Sequence, residues 1–248
     1  MSILVTRPHP DIETTAASLR ARGHAVLLAP ALKFEPVAFH DAREADYGAV
    51  IVTSANALRG IASQLPELGL LGLPLFAVGE HTAAAAREAG FAEVIVAGGD
   101  AASLRDKVVR SAREKVLKKK DTLLYLAGAD LSRDLGGELG AEGFRVVTQT
   151  TYRMAPVKHL PREVCAGFAA HDIGAVLHYS RRSARAFLDA ARDEGVEISA
   201  LAIPHCCLSE AVANVLRDAG ASQVLVAAAP DETALFGTLE RALRTRLA

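Results

Sequence analysis

Residues 89–99, AGFAEVIVAGG, return without a gap as AGASQVLVAAA at residues 219–229, an offset of 130 from Gly90 to Gly220. An internal repeat constrains the whole fold, and the rest of the chain carries more of it. GAVIVTSANALRGI, 48–61, matches GAVLHYSRRSARAF, 174–187, in the same way. ILVTRPHPDIETTAASLRARGHAV, 3–26, matches LLYLAGADLSRDLGGELGAEGFRV, 123–146, in length and apolar spacing. Two kinds of unit therefore alternate, over 3–28, 48–104, 123–147 and 174–235. Each reads as apolar strand, small polar turn, amphipathic helix, then Gly and the next strand. That alternation predicts an α/β fold of parallel sheets with helices on both faces.

Two closures fit the repeats: neighbouring units pairing in tandem, or the two middle units forming one domain inside a discontinuous other. PALKFEPV from Pro30 and TQTTYRMAPV from Thr148 are both extended, Pro-bounded and of similar length. Two such strands crossing side by side between domains favour the second closure. The expected boundaries are 1–33 with 156–248 for the discontinuous domain and 37–148 for the inserted one, with 30–37 and 148–156 as paired linker strands.

Composition sets the class. The chain has 248 residues, 50% hydrophobic and 23% charged, with net charge −1. It is long enough for one large or two ordinary cores. The near-zero charge argues against bulk attraction to nucleic acid or anionic lipid. There is no apolar run of spanning length, and MSILVTRP lacks the pattern of a secretory signal, so a cytoplasmic protein with no membrane partner is expected. Cys165, Cys206 and Cys207 have no metal-ligand or disulfide spacing and read as small buried hydrophobes. The basic stretch REKVLKKKD, 113–121, reads as a solvated helix end, with a binding patch as the alternative.

Ligands of open parallel sheets bind beyond the carboxyl ends of the strands. There stand Thr6, Arg7 and Pro8; Thr53, Ser54, Ala55 and Asn56; Gly79, His81 and Thr82; Gly128 and Arg133; Ser180 and Arg181; and Ser209. Small hydroxylic residues at those corners cap helices, at about 1 kcal/mol each. The same helix starts present main-chain N–H groups that bind anions. Arg7 and Arg133 begin helices, where a cation is unfavourable to the dipole unless an anion sits beside it. No phosphate-binding loop, dinucleotide fingerprint, nucleophile elbow or HExxH is present, and the scattered histidines suggest no metal site. Tyr152 stands out as a bulky phenol in the second crossing strand, beside Thr150 and Thr151.

ILVTRP, APALKFEPV, DYGAVIVTSANAL, LFAVGEHTAAAAREAGF, LLYLAG followed by Arg133, and TTYRMAP resemble, in order and spacing, the uroporphyrinogen-III synthase family. The resemblance spans essentially the whole chain. It implies two flavodoxin- or Rossmann-like lobes, each a parallel sheet flanked by helices, joined by a two-stranded β-ladder, and so selects the discontinuous closure. It also implies the reaction. Linear hydroxymethylbilane loses water, closes and has its last ring inverted, through a spiro pyrrolenine, to give uroporphyrinogen III without a cofactor. Tyr152 inherits the role of proton donor to the leaving hydroxyl. The helix-start residues inherit the grip on a substrate with eight carboxylates, and a monomer is expected.

The chain departs from the family at HCCLSEAVA, where Leu208, Ser209, Glu210 and Ala211 replace a glycine-bearing turn. Glu210 beside a polyanion is repulsive unless it points away. That departure motivates the rival reading, a two-lobed binding protein for tetrapyrroles or other polyanions that has lost turnover. A two-domain glycosyltransferase is a weaker third reading, since no nucleotide-binding signature is present.

Overall fold

The computed structural model describes residues 1–39, 46–114, 117–118, 120–131 and 133–247. Of the residues named above, Lys115, Val116, Lys119 and Ser132 lie outside the described residues. The chain begins with β1 (Ser2–Val5), α1 (Asp11–Ala21), β2 (Ala25–Leu28) and β3 (Leu32–Pro36). It continues through β4 (Tyr47–Val52), α2 (Ala55–Gly60), β5 (Leu75–Ala77), α3 (Glu80–Glu88), β6 (Val94–Val96), α4 (Ala101–Arg113), β7 (Thr122–Gly128), α5 (Leu135–Ala141) and β8 (Arg145–Pro156). The last third holds α6 (Arg162–Ala169), β9 (Ile173–His178), α7 (Arg181–Asp193), α8 (Glu197–Leu201), β10 (Pro204–Cys207), α9 (Glu210–Asp218), β11 (Gln223–Val226) and α10 (Glu232–Leu247).

The chain divides into two compact units, Met1–Phe34 with Ala155–Ala248, and Glu35–Met154. The first carries a five-stranded sheet in the order β11-β10-β9-β1-β2, with these strands pairing parallel. The six-stranded sheet has the order β3-β8-β7-β4-β5-β6, parallel from β8 through β6. Along β3 and β8, Val37 N–H bonds the Thr151 carbonyl at 2.9 Å, and Val157 N–H bonds the Ala31 carbonyl at 3.0 Å. Residue numbers climb on one strand as they fall on the other, so the pair runs antiparallel. β8 is one continuous strand of 12 residues, and the extended stretch 148–156 forms its later part.

The near-continuous apolar runs of β4 and β7 are buried on both faces, as parallel strands between two helical layers must be. Val50, Val52, Leu124 and Leu126 pack with Ala57, Leu58, Ala83 and Ala86 of α2 and α3. The alternate residues Ala49, Ile51, Leu123 and Tyr125 pack with Leu104, Val108, Leu135 and Leu139 of α4 and α5. In the first unit Ile3, Val5, Ala175 and Leu177 pack with Ile12 and Leu19 of α1 and with Leu235 and Leu239 of α10. Burying each valine, leucine or isoleucine among them contributes about 1.5–3 kcal/mol. α3 and α9 both end in a glycine with positive φ, 97° at Gly90 and 89° at Gly220. A left-handed residue closes the helix and turns the chain into the next strand, which explains why the repeat keeps glycine there.

Cys206 and Cys207 are fully buried, and burial pushes both thiols up to about 12, so they behave as inert core groups. Cys165 is a correction: it is only partly buried, with its thiol 3.9 Å from a Glu194 carboxylate oxygen. In the basic stretch, Leu117 is buried while Lys118 and Lys120 are exposed, a solvated segment with one apolar anchor.

Candidate active site at the strand ends

In the second unit β4 ends at Val52, and the next four residues turn the chain into α2. Ser54 is the cap: its hydroxyl accepts the Asn56 N–H at 3.3 Å. Thr53 lies on the Tyr125 face, and the two hydroxyls bond at 3.0 Å. Burial raises the Tyr125 phenol above its ordinary range, so it stays protonated. Ala55 and Asn56, both half-buried, open α2.

α3 starts differently. Its cap residue is Gly79, in extended backbone, with no side-chain cap. A helix start carries N–H groups without intrahelical partners, here those of Glu80, His81 and Thr82. Thr82 is buried and His81 exposed. The Glu80 carboxylate, the one negative group in that first turn, bonds Arg87 two turns along at 2.5 Å.

Beyond β7, Arg133 is paired with Glu138, one guanidinium nitrogen lying 2.8 Å from a carboxylate oxygen. That hydrogen bond holds the half-buried Glu138 carboxyl below its usual range. Gly128 gives room to Tyr152. A Cβ built on Gly128 would lie 2.7 Å from Cζ and 2.9 Å from the hydroxyl of the phenol. The half-buried Tyr152 ring therefore lies against the end of β7, on the side of the apolar cluster containing Leu126 and Val147.

In the first unit the same kind of edge is charged. Arg7 bonds Asp11 at 3.0 Å, approaches Glu232 at 3.4 Å and lies over the Tyr179 ring with Cζ 4.8 Å from the centroid. One Glu232 oxygen also accepts the Tyr179 hydroxyl at 2.8 Å and the Thr15 hydroxyl at 2.5 Å. Burial raises the Tyr179 phenol well above its ordinary value. Thr6 is fully buried and donates its hydroxyl to the Leu177 carbonyl at 2.9 Å, so its side chain serves the sheet. Pro8 is half-buried at the turn into α1. Ser180 caps α7, accepting the Ser183 N–H at 3.1 Å, and Arg181 is exposed on the first turn.

α9 repeats the start of α3. Its cap residue Ser209 makes no side-chain cap bond, and Glu210 is drawn back along the helix onto Arg217. Glu210 thus points away from the helix start, as Glu80 does at the corresponding place. The side chains around these edges that sequence reasoning did not single out are Thr15, Tyr125, Tyr179 and Glu232. Tyr125 was visible as the one polar group on an alternating strand face. Glu232 gave no local signal, because it meets Arg7 across 225 residues of chain. Among the described residues, no group of three or more His, Cys, Asp or Glu could hold a metal ion. No helix among them is long and apolar enough to cross a membrane.

A comparison with curated protein sequences found no match. Among solved structures, the chain is similar to uroporphyrinogen-III synthetase from Helicobacter pylori at 19% identity, with a TM-score of 0.62 and 99% of each chain covered. It is also similar to a mutant uroporphyrinogen III synthase from the extremely thermophilic bacterium Thermus thermophilus at 18% identity, with a TM-score of 0.56, covering 99% of this chain and 100% of that one. These likenesses establish the two-domain α/β fold. The family described as uroporphyrinogen-III synthase HemD matches residues 13–237. The chain belongs to the uroporphyrinogen-III synthase family, lyases of tetrapyrrole biosynthesis that cyclise hydroxymethylbilane.

Proposed function

We propose that the chain binds hydroxymethylbilane largely through main-chain amides and that Tyr152 donates the proton that releases the terminal hydroxyl. The observation that carries the binding half is the shared start of α3 and α9. Both lack a side-chain cap, and both have their first-turn glutamate tied to an arginine seven residues on. Withdrawing that carboxylate leaves the N–H groups and the positive dipole end for a carboxylate of the substrate, at roughly 0.3–1 kcal/mol per dipole interaction. A substrate with eight carboxylates draws on several such places. Thr53, Ser54, Ala55, Asn56, His81, Thr82, Ser180, Arg181 and Ser209 flank them. In this reading Thr6 and Pro8 shape the turn that presents Arg7, and Arg7 and Arg133 exchange their internal carboxylate partners for substrate.

The chemistry balances without an oxidant, reductant or cofactor. The terminal carbon–oxygen bond breaks as the phenol proton passes to the leaving hydroxyl, and water departs. The resulting electron-poor methylene is attacked by the substituted α-carbon of the last pyrrole to give a spiro intermediate. The bond from that carbon to its original bridging methylene then breaks, and the freed methylene bonds the ring's other α-carbon, which inverts the ring. The proton released as the pyrrole regains aromaticity returns to the phenolate. A phenolic hydroxyl is among the groups that serve as general acids. The remaining acceleration comes from holding a flexible chain in its closing geometry, which supplies about 7–11 kcal/mol in favourable cases.

The chain acts in this reading as a cytoplasmic monomer on a small molecule, without nucleic acid or membrane. The net charge of −1, and the exposure of only Met1, Leu131 and Ile198 as large apolar residues among those described, support that. Tyr152→Phe tests the proton donor. Its kcat is expected to fall at least a hundredfold, within the span of general acid catalysis, with an unchanged melting transition. A wild-type kcat would remove Tyr152 from the mechanism.

A further inference from the structure

The backbone that carries Tyr152 is clamped from three sides within the second unit. Thr151 is fully buried, and its hydroxyl donates to the Ala57 carbonyl of α2 at 2.9 Å and lies 3.4 Å from the Ala127 carbonyl of β7. Its own carbonyl accepts Val37 N–H at 2.9 Å. That carbonyl occupies the space where Gly60 would carry a Cβ, so a side chain at 60 would push α2 and β8 apart. The Tyr152 carbonyl accepts Ala129 N–H at 2.9 Å. The phenol then lies in the room left by the missing Cβ of Gly128, at 2.7–3.0 Å from Cζ, the hydroxyl and Cε1.

These contacts have one thing in common. Each fixes either the backbone at 151–152 or the ring itself: the Val37 and Ala129 bonds continue the pairing of β8 with its neighbours, while the Thr151 hydroxyl and the Gly60 and Gly128 contacts act outside that ladder. The register of β7 against β8 shifts by one residue between Ala127 and Gly128, which sets Tyr152 opposite Gly128, the one residue there with no side chain. We infer that Gly60, Gly128 and Thr151 form a clamp that positions the Tyr152 hydroxyl for proton transfer, an inference that rests on the reading of Tyr152 as the donor.

The three residues make different probes. A methyl at Gly60 meets main chain, which must move as a whole. A methyl at Gly128 meets the ring, a movable side chain, and displaces the phenol while the fold persists. Misplacing a reacting group by about 1 Å costs on the order of a hundredfold in rate. Thr151→Val removes the hydroxyl at nearly constant volume and leaves the Ala57 carbonyl without its partner, whereas Thr151→Ser keeps the bond.

The test is a cycle of Gly128→Ala, Tyr152→Phe and the double variant, with kcat and KM for freshly prepared hydroxymethylbilane. Gly128→Ala is expected to lower kcat at least tenfold with KM within about twofold, and to lower it no further in the Tyr152→Phe background. Thr151→Val should lower kcat in the same way and Thr151→Ser should restore it, which decides the matter should Gly128→Ala fail to fold. A wild-type kcat for Gly128→Ala, equal losses in both backgrounds, or folded Thr151→Val with a wild-type kcat would overturn the clamp and leave Tyr152 in place. A wild-type kcat for Tyr152→Phe would instead remove the donor, and the clamp with it.

Discussion

Thr53 and Tyr179 occupy the same place in the repeat, one residue past a central strand, and their surroundings differ in kind. In the second unit Thr53 bonds a neutral phenol, Tyr125, and nearby Tyr152 is set by glycines and a buried hydroxyl. In the first unit Tyr179 bonds a carboxylate, Glu232, which also faces Arg7. At these two places one strand end presents neutral groups and the other a charged, internally balanced cluster. The helix starts at Gly79 and Ser209, by contrast, have kept one design in both copies. The repeat has kept these uncapped helix starts alike while its side chains diverged, toward neutral hydroxyls at Thr53 and toward a charged cluster at Tyr179.

The largest effect expected from this divergence lies deeper in the sheets. His178 and His205 are both fully buried, 3.0 Å apart from Nε2 to Nδ1, and the second His205 nitrogen is 3.0 Å from the Ala200 carbonyl. His205 donates to that carbonyl, so its other nitrogen accepts from His178 and both rings are neutral. The corresponding places in the second unit are Val52 and Leu75. Burial holds His178 well below 6.5 and His205 at about 4. Both histidines bind protons more readily in the unfolded chain. Their contribution to stability is therefore intact above pH 6.5 and is lost as pH falls toward 4 and below. By pH 5 the loss from His205 is on the order of 2 kcal/mol, and His178 adds to it with the same sign. Urea denaturation at pH 7 and pH 5 measures it, and His178→Val with His205→Leu, which writes the second unit's residues into the first, should flatten the difference.

Glu232→Ala breaks the charged edge. It leaves the buried Thr15 hydroxyl without its acceptor and releases Arg7, at an expected cost of about 1–3 kcal/mol, read from the midpoint of denaturation. Its neutral counterpart, Thr53→Val, removes one hydroxyl bond from Tyr125 and should cost about 0.5–1.5 kcal/mol.

The smallest effect tests what the copies share. Arg87→Ala and Arg217→Ala free Glu80 and Glu210 to compete with the substrate. Exposed pairs of this kind are worth about 0.2–1 kcal/mol, so stability should barely move. KM should rise by up to about fivefold in each variant, and Glu80→Gln or Glu210→Gln should cancel the rise. A rise in one copy alone would show that only one helix start binds.

The parallel α/β architecture was legible because it is written in local patterns. Apolar runs such as YGAVIV and TLLYLAG, small polar corners and the glycines after α3 and α9 each announce their element within a few residues. The repeat then made each reading confirm another. What sequence missed is non-local. Glu232 and Tyr179, which meet Arg7, and the partners of Thr6 and Thr151 lie many residues away, and no periodicity marks a hydroxyl whose acceptor is a carbonyl on another strand. Gly128 read as a glycine facing the ligand, and the group that approaches it is the chain's own Tyr152. Glu210 read as a repulsive group, and only the structure shows Arg217 turning it back along the helix.

The measurement closest to the central claim supplies freshly made hydroxymethylbilane to the chain, oxidises the product and separates the porphyrin isomers by chromatography. Uncatalysed closure gives the isomer with no inverted ring. The account predicts that the inverted isomer dominates with protein present; an isomer ratio equal to that of the protein-free control would contradict it.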